Sequence, residues 1–345
     1  MLLKINFEMT GFKKYSKSEW MESFSLDKGI ESTHLVDPQI KGLSFAHQDD
    51  LRDYQGFERL KNGSADWKIS CLLEISDYST QNLLIPLSLE HGVEQIRLHF
   101  KNKPSLDSIK VQLINVLTDV VDIFISWDDM IIEDVVKIKN EINTYYFSNH
   151  LIKLEICIDH LLKTAKSKNE QDLLQNETLL YCFNFGVYET EKWQVNLNNL
   201  HENLINFNFS KPLKVVVKVD FDNDFLTNIS SFRALKEVLK SFNFIDPVYY
   251  LSFVDKKNYT DLNSNLIHLS LTSLSASLAN ADAIWVKPAD SFHSENSEFW
   301  LKLALHQQHI LKQEAKMNLV WDPLGGSYYI EDLSNKIFNL LCIKN

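Results

Sequence analysis

Several groups of residues in this chain have the types and spacing that acid–base or metal chemistry uses. Asp119, Asp122, Asp128 and Asp129 crowd one short stretch, and Asp159-His160 lies further on. Asp128-Asp129 directly follows a strand-like run ending at Trp127, and loops after parallel strands are where barrel enzymes place catalytic side chains. By residue type the same pair suits a loop or a helix cap, which is the stronger expectation. Lys287-Pro288-Ala289-Asp290 also follows a strand-like run but brings no further site residues with it. His91-Gly92 and His99 read as structural. The histidines and the four cysteines (Cys71, Cys157, Cys182, Cys342) form no HExxH, no CxxC and no Cys/His cluster, so no dedicated metal site is expected. G-x-S-x-G, P-loop and G-x-G-x-x-G patterns are absent too.

The most specified stretch is Asp322-Pro323-Leu324-Gly325-Gly326-Ser327-Tyr328-Tyr329-Ile330-Glu331. Pro323 fixes its own φ and biases Asp322 toward extended geometry. Gly325-Gly326 opens backbone angles closed to other residues. Leu319-Val320-Trp321 leads into it, so the local reading is a tight strand-to-helix connection that positions something.

Bulk properties narrow the class. The chain has 345 residues, 45% hydrophobic and 23% charged, ordinary for a globular protein. A net charge of −11 argues against nucleic acid or an anionic membrane as partner. No apolar run reaches the roughly 18 residues needed to span a bilayer. Met1-Leu2-Leu3-Lys4-Ile5-Asn6-Phe7-Glu8 lacks the layout of a signal peptide, and scattered cysteines fit reduced thiols, so a cytoplasmic location is expected.

These residues must be positioned by a body of alternating elements. Residues 1–65 read as an irregular arm, with Phe12, Tyr15, Trp20 and Phe24 spaced to pack on something larger. Beyond it, strand-like runs are Ile96–Phe100, Val121–Trp127, Leu154–Ile158, Leu179–Phe185, Lys214–Val219, Val248–Val254, Ala283–Lys287 and Leu319–Trp321. Their spacing is that of βα units. Helical stripes lie between them. Ile267, Leu271, Leu274 and Leu278 share one face, with Asn263 and Ser264 as candidate caps; Trp300, Ala304, Gln307 and Leu311 share another. Eight alternations predict an α/β fold, a (β/α)8 TIM-type barrel over residues 66–345. A doubly wound open sheet is the alternative, because both architectures bury parallel strands on both faces.

The Asp322–Glu331 stretch resembles the DP-x-GGSYY-x-E signature of the methylmalonyl-CoA mutase family. Gln307-Gln308-His309-Ile310-Leu311-Lys312-Gln313-Glu314 resembles the family's N-x-Q-x-I-L-x-E-E helix. Asn258 to Leu266 is similar to N-x-T-x-x-D-x-x-x-N-x-L, Thr272 to Leu278 to T-x-E-A-x-A-A-x-L, and Ala281-Asp282-Ala283 to G-A-D-A. Phe225 with Phe232-Arg233-Ala234-Leu235 resembles the F-F-x-E-I-A-K helix, and Trp67-Lys68-Ile69 with Asn82 resembles the W-T-I motif and its closing asparagine. Trp20 with Ile40-Lys41-Gly42-Leu43 is similar to the arm of the small subunit in two-subunit mutases.

The resemblance implies adenosylcobalamin-dependent interconversion of methylmalonyl-CoA and succinyl-CoA, with the cofactor supplying the radical. It also implies a cobalamin domain after the barrel, whose D-x-H-x-x-G histidine ligates cobalt. No D-x-H-x-x-G occurs here and the sequence ends at Asn345, so no such domain is expected. Leu72 stands where the family's W-T-I-R-Q-Y tyrosine would lie against corrin and substrate. Tyr188 stands where G-Y-H-M-Q-E has its substrate-binding histidine, and it cannot change charge near neutrality. In the family the CoA chain threads the barrel. Here Phe100, Phe124, Trp127, Tyr181, Phe183, Phe185, Tyr249, Phe253 and Trp285 lie in or at the ends of strands, and several are expected to fill the lumen.

The resulting expectation is the small, non-catalytic subunit of a heterodimeric methylmalonyl-CoA mutase. It would have no catalytic or cofactor-binding residue of its own, and adenosylcobalamin would ride on a large catalytic partner subunit. The alternative is a substrate-binding subunit that takes an acyl-CoA in its own barrel and borrows a separate cobalamin-binding protein. Tyr328 and Tyr329 are expected at the barrel edge or a subunit contact.

Overall fold

The structure, a computed structural model, describes residues 15–19, 22, 36–37, 42–43, 66–146, 151–157, 179–186, 197, 213–220, 224–241, 245–254, 261–289 and 297–342. A short antiparallel pair, Val36–Asp37 with Gly42–Leu43, precedes the main body. Eight parallel strands then close a barrel: β1 (Lys68–Ile75), β2 (Gln95–Phe100), β3 (Asp122–Trp127), β4 (Ile152–Cys157), β5 (Leu179–Gly186), β6 (Leu213–Asp220), β7 (Ile245–Val254) and β8 (Ala283–Val286). The ring shuts where β8 pairs with β1, Ala283 opposite Lys68. Pro247 lies within β7, where it has no N–H to give the ladder. Val215 pairs with Pro247 and Val216 with Tyr249, so a bulge takes up Val248 there.

Eight strands match the expected number, but the two sets differ by one member. Lys68–Ile75 is a strand that the sequence reading treats only as a motif. Leu319–Trp321 is not a strand: Leu319 is 71% exposed and Val320 57%, in a run of turns laid outside a ring already closed. The run expected at Leu154–Ile158 forms β4, which begins two residues earlier, at Ile152.

Seven helices are described: α1 (Leu84–Glu90), α2 (Leu106–Gln112), α3 (Ile132–Tyr146), α4 (Phe225–Lys240), α5 (Leu262–Leu278), α6 (Ser297–His309) and α7 (Tyr328–Leu341), with a π-helical turn, Ile310–Glu314, after α6. Asp224 caps α4 by accepting from Thr227 N at 3.1 Å. The cap of α5 is Asp261, which accepts from Ser264 N at 2.8 Å, in place of the expected Asn263 or Ser264. A carboxylate there also suits the helix dipole. Helix α4 is buried on every side from Thr227 to Leu239, because α7 packs over it. On α5 the expected core stripe is reversed at its centre. Ile267 and Leu271 face outward, while Asn265, His268 and Thr272 are buried.

Among the described residues no helix is long and apolar enough to cross a membrane.

Candidate functional site

Alternate residues of a barrel strand point to the axis and to the helices. Phe124 of β3, Val216 of β6 and Ala283 and Trp285 of β8 form one buried cluster, with Leu72 of β1 packed against it. Strand β3 shares no ladder with β6 or β8, so these contacts cross the lumen. Phe100 and Trp127, by contrast, belong to the apolar layer between strands and helices. The expectation that rings fill the lumen therefore holds for Phe124 and Trp285 and is corrected for Phe100 and Trp127, which sit in the opposite phase of the pleat. Tyr181, Phe183, Phe185, Tyr249 and Phe253 lie outside the residues whose side chains are described.

Ionic side chains occupy several other inward positions. Arg97 of β2 pairs with Glu155 of β4, which also takes Lys218 of β6. The Arg97 guanidinium stacks 4.2 Å from the Phe124 ring centre. Lower down, Asp122 of β3 pairs with Lys68 of β1 and, at 3.2 Å, with Lys153 of β4. Burial works to raise the Glu155 carboxyl, but the charges and hydrogen bonds of Arg97 and Lys218 outweigh it and bring it from 4.5 to about 2. For Asp122 burial again acts upward, and Lys68 with Lys153 hold the group below its usual range. Asp122 is thus committed to a structural triad.

The upper rim, at the C-terminal ends of the strands, carries a cleft of about 590 Å³ over β1, β2 and β3. Glu74, Tyr78, His99, Lys101 and Asp128 line it. His99 Nδ1 lies 3.1 Å from Ser126 Oγ, and its Nε2 lies 3.3 Å from Asp128 Oδ1. Tyr78 donates to Asn102 O at 3.0 Å and accepts from Asn102 N at 2.7 Å, which ties the two rim loops together. Below them buried Gln112 binds Thr80 O at 2.7 Å and accepts from Asn82 N at 2.9 Å, a staple with no sequence signal of its own. The His99–Asp128 pair could move a proton. Asp122 is a strand's length away, about 20 Å, so the sequence cluster of aspartates is divided between the two ends of β3. Asp159-His160 and Tyr188 lie outside the described residues. Leu72, in contrast, does project into the lumen.

The Asp322–Glu331 stretch sits at the opposite, lower rim. Arg233, 1% exposed in the middle of α4, pairs with Asp322 and, at 2.9 Å, with Glu331. Glu331 also accepts from Gly326 N at 2.9 Å, and Asn280 Oδ1 accepts from Asp322 N at 3.3 Å. Burial raises the Asp322 carboxyl despite its Arg233 partner. Gly326 has φ +83, a left-handed conformation that favours glycine, and a Cβ on Gly325 would come 2.8 Å from Asp322 Oδ2. Pro323 is exposed, Ser327 precedes α7 without a side-chain capping bond, Tyr328 is exposed and Tyr329 packs on the core. All this fastens α7 onto α4.

The loop at Lys287-Pro288-Ala289 is held from α5, where buried Asn265 donates to Ala289 O at 2.7 Å. His91, His306 and His309 meet at the lower rim. His309 Nε2 lies 2.8 Å from His91 O, and His306 Nε2 lies 3.4 Å from His91 Nδ1. Among the described residues no group of three potential ligands is placed to hold a metal. At the upper rim both nitrogens of His99 are engaged, so it does not fit the axial-ligand role a cobalamin would require.

Residues 213–341 match the family model described as methylmalonyl-CoA mutase. The methylmalonyl-CoA mutase small subunit of Porphyromonas gingivalis is 38% identical over 81 residues, covering 24% of this chain and 13% of that protein. The 2-hydroxyisobutanoyl-CoA mutase large subunit of Aquincola tertiaricarbonis is 38% identical over 81 residues, 22% of this chain and 14% of that one. A methylmalonyl-CoA mutase homolog of Alkalihalophilus pseudofirmus is 29% identical over 105 residues, 29% of this chain and 71% of that one. The similarity to the first two thus spans only a small part of their length.

Proposed function

We propose that this chain, which belongs to the methylmalonyl-CoA mutase family, is a small subunit that does no turnover and supports a large catalytic partner. The observation that carries this reading is the packing across the barrel axis. Phe124, Trp285 and Leu72 meet where the family threads its CoA chain, and Arg97, Glu155 and Lys218 tie opposite walls together beside them. Leu72 offers neither hydroxyl nor ring at the position set against the motif's tyrosine. Methylmalonyl-CoA and adenosylcobalamin would both be held by the larger partner in a heterodimer. The upper-rim cleft with His99 and Asp128 favours the second reading, an acyl-CoA-binding subunit served by a separate cobalamin protein.

Two measurements separate these readings. Co-expression with a large subunit from the same genome, purified by a tag on one chain, is expected to recover both; separate elution at low salt counts against a heterodimer. Calorimetric titration of the isolated chain with methylmalonyl-CoA is expected to give no saturable heat. Saturable micromolar binding would move the function to the second reading.

A further inference from the structure

Three imidazoles that neither reading of the barrel uses meet at the lower rim, where α6 packs on α1. His91 closes α1, its backbone N–H bonded to Leu87 O at 3.1 Å. His306 is exposed on α6. His309, nearly one turn further on, donates from Nε2 to the His91 carbonyl at 2.8 Å, and a Cβ on Gly92 would come 2.9 Å from its ring. The His91 and His306 rings therefore stand on elements already locked to each other. Nδ1 of His91 and Nε2 of His306 are 3.4 Å apart, and their ring centres are 5.3 Å apart. That is long for a hydrogen bond, whose heavy atoms usually lie within about 3.2 Å. Two imidazoles bound to one tetrahedral zinc ion at about 2.05 Å set their nitrogens about 3.3 Å apart and their ring centres about 5.2 Å apart. Both separations agree with the pair found here.

We propose that His91 Nδ1 and His306 Nε2 together bind one divalent borderline transition ion, of which zinc is the type, and that this ion clasps the end of α1 to α6. Neutral imidazole suits such ions, whereas magnesium and calcium take oxygen. The chain supplies two ligands and water the other positions, in keeping with the lack of a three-ligand group among the described residues. His309 is not a third ligand. Its Nε2 is committed to the peptide that carries His91, which steadies the backbone under that ring. The charges nearby do not repel a cation. Glu298 and Lys302 neutralise one another at 2.6 Å, and the chain as a whole carries −11. No sequence motif announces the pair, because its members lie 215 residues apart. The clasp does not depend on whether the barrel binds a thioester.

The full metal-free chain, dialysed against tens of micromolar zinc ion, should retain about one ion more than His306→Gln or His91→Gln does. Taking the difference removes what other histidines and thiols of the chain hold. Both variants should keep the far-UV circular dichroism of the wild type. Magnesium ion at the same concentration should show no such difference. Hydrogen exchange of the wild-type chain should slow on zinc addition where α1 meets α6, and not in β3 or α4. This measurement needs no variant, so it decides the matter even if a substitution fails to fold. Equal zinc retention by the wild type and two folded variants overturns the proposal. So does zinc addition that leaves exchange at the α1–α6 junction unchanged, or a magnesium response equal to that of zinc.

Discussion

Arg97 on β2 reaches past the Phe124 ring of β3 to Glu155 on β4, joining two strands that share no ladder. Lys218 repeats the span from β6, so Glu155 ties alternate strands from inside the barrel. Glu155→Gln leaves two cations facing a neutral amide in a buried site, and should lower unfolding free energy by about 3 kcal/mol in urea titrations. A loss near zero would mean that water already screens these charges.

The same carboxylate sets an acid limit. Its folded value is depressed, from 4.5 to about 2, so its contribution is fully present above pH 4.5 and disappears as pH falls through 2. The gap in stability between wild type and Glu155→Gln should therefore close between pH 5 and 2. A gap that is constant over that range would assign the effect to packing.

Lys236 should give a slope of the same sign at alkaline pH. It is buried beside the Ala279 and Asn280 carbonyls, and burial brings it from 10.5 down to about 8. Between those values the unfolded chain binds the extra proton, so this residue's contribution to stability rises with pH from 8 toward 10.5. Lys236→Met should remove that slope when the two proteins are compared by denaturant midpoint across the range.

Arg233→Met removes the partner of both Asp322 and Glu331. One buried and one half-buried carboxylate without their cation cost about 3 kcal/mol. Hydrogen exchange should show α7 losing protection first while β1 to β3 keep theirs. Uniform loss across the barrel would show that the last helix and the barrel unfold together.

Gly326→Ala and Gly92→Ala distinguish strain from crowding. Both glycines have positive φ, but a Cβ at Gly326 meets nothing within 4 Å, while one at Gly92 comes 2.9 Å from the His309 ring. Gly326→Ala should cost about 1 kcal/mol. Gly92→Ala should cost about 2 kcal/mol, falling to about 1 in a His309→Ala background. Thermal midpoints of the four proteins check this.

Much of the architecture could be read in the strand rhythm, because β-rich runs at βα spacing have few alternatives. The lumen could not be read as well. Ile96-Arg97-Leu98-His99-Phe100 does alternate, with the charge inward and Phe100 outward, but weighing strands by their rings hides that phase. Leu319–Trp321 fails as a strand because three apolar residues next to a turn signal no particular partner. Proline and glycine foretell a turn at Asp322–Glu331, but Asp322 takes φ +47 in place of the expected extended geometry, and the purpose of the turn depends on Arg233, 89 residues before Asp322 and on another helix. The stripe on α5 is half right: Leu274 and Leu278 join the core, whereas Ile267 and Leu271 face out, because small hydroxyl residues can be buried when they bond to their own backbone.

The wording by which this chain is most easily recognised lies at the far end of the cylinder from the cleft. Asp322 and Glu331 grip an arginine there and hold the final helix in place. A search keyed to those letters finds proteins built the same way and is silent on whether any of them transforms a molecule.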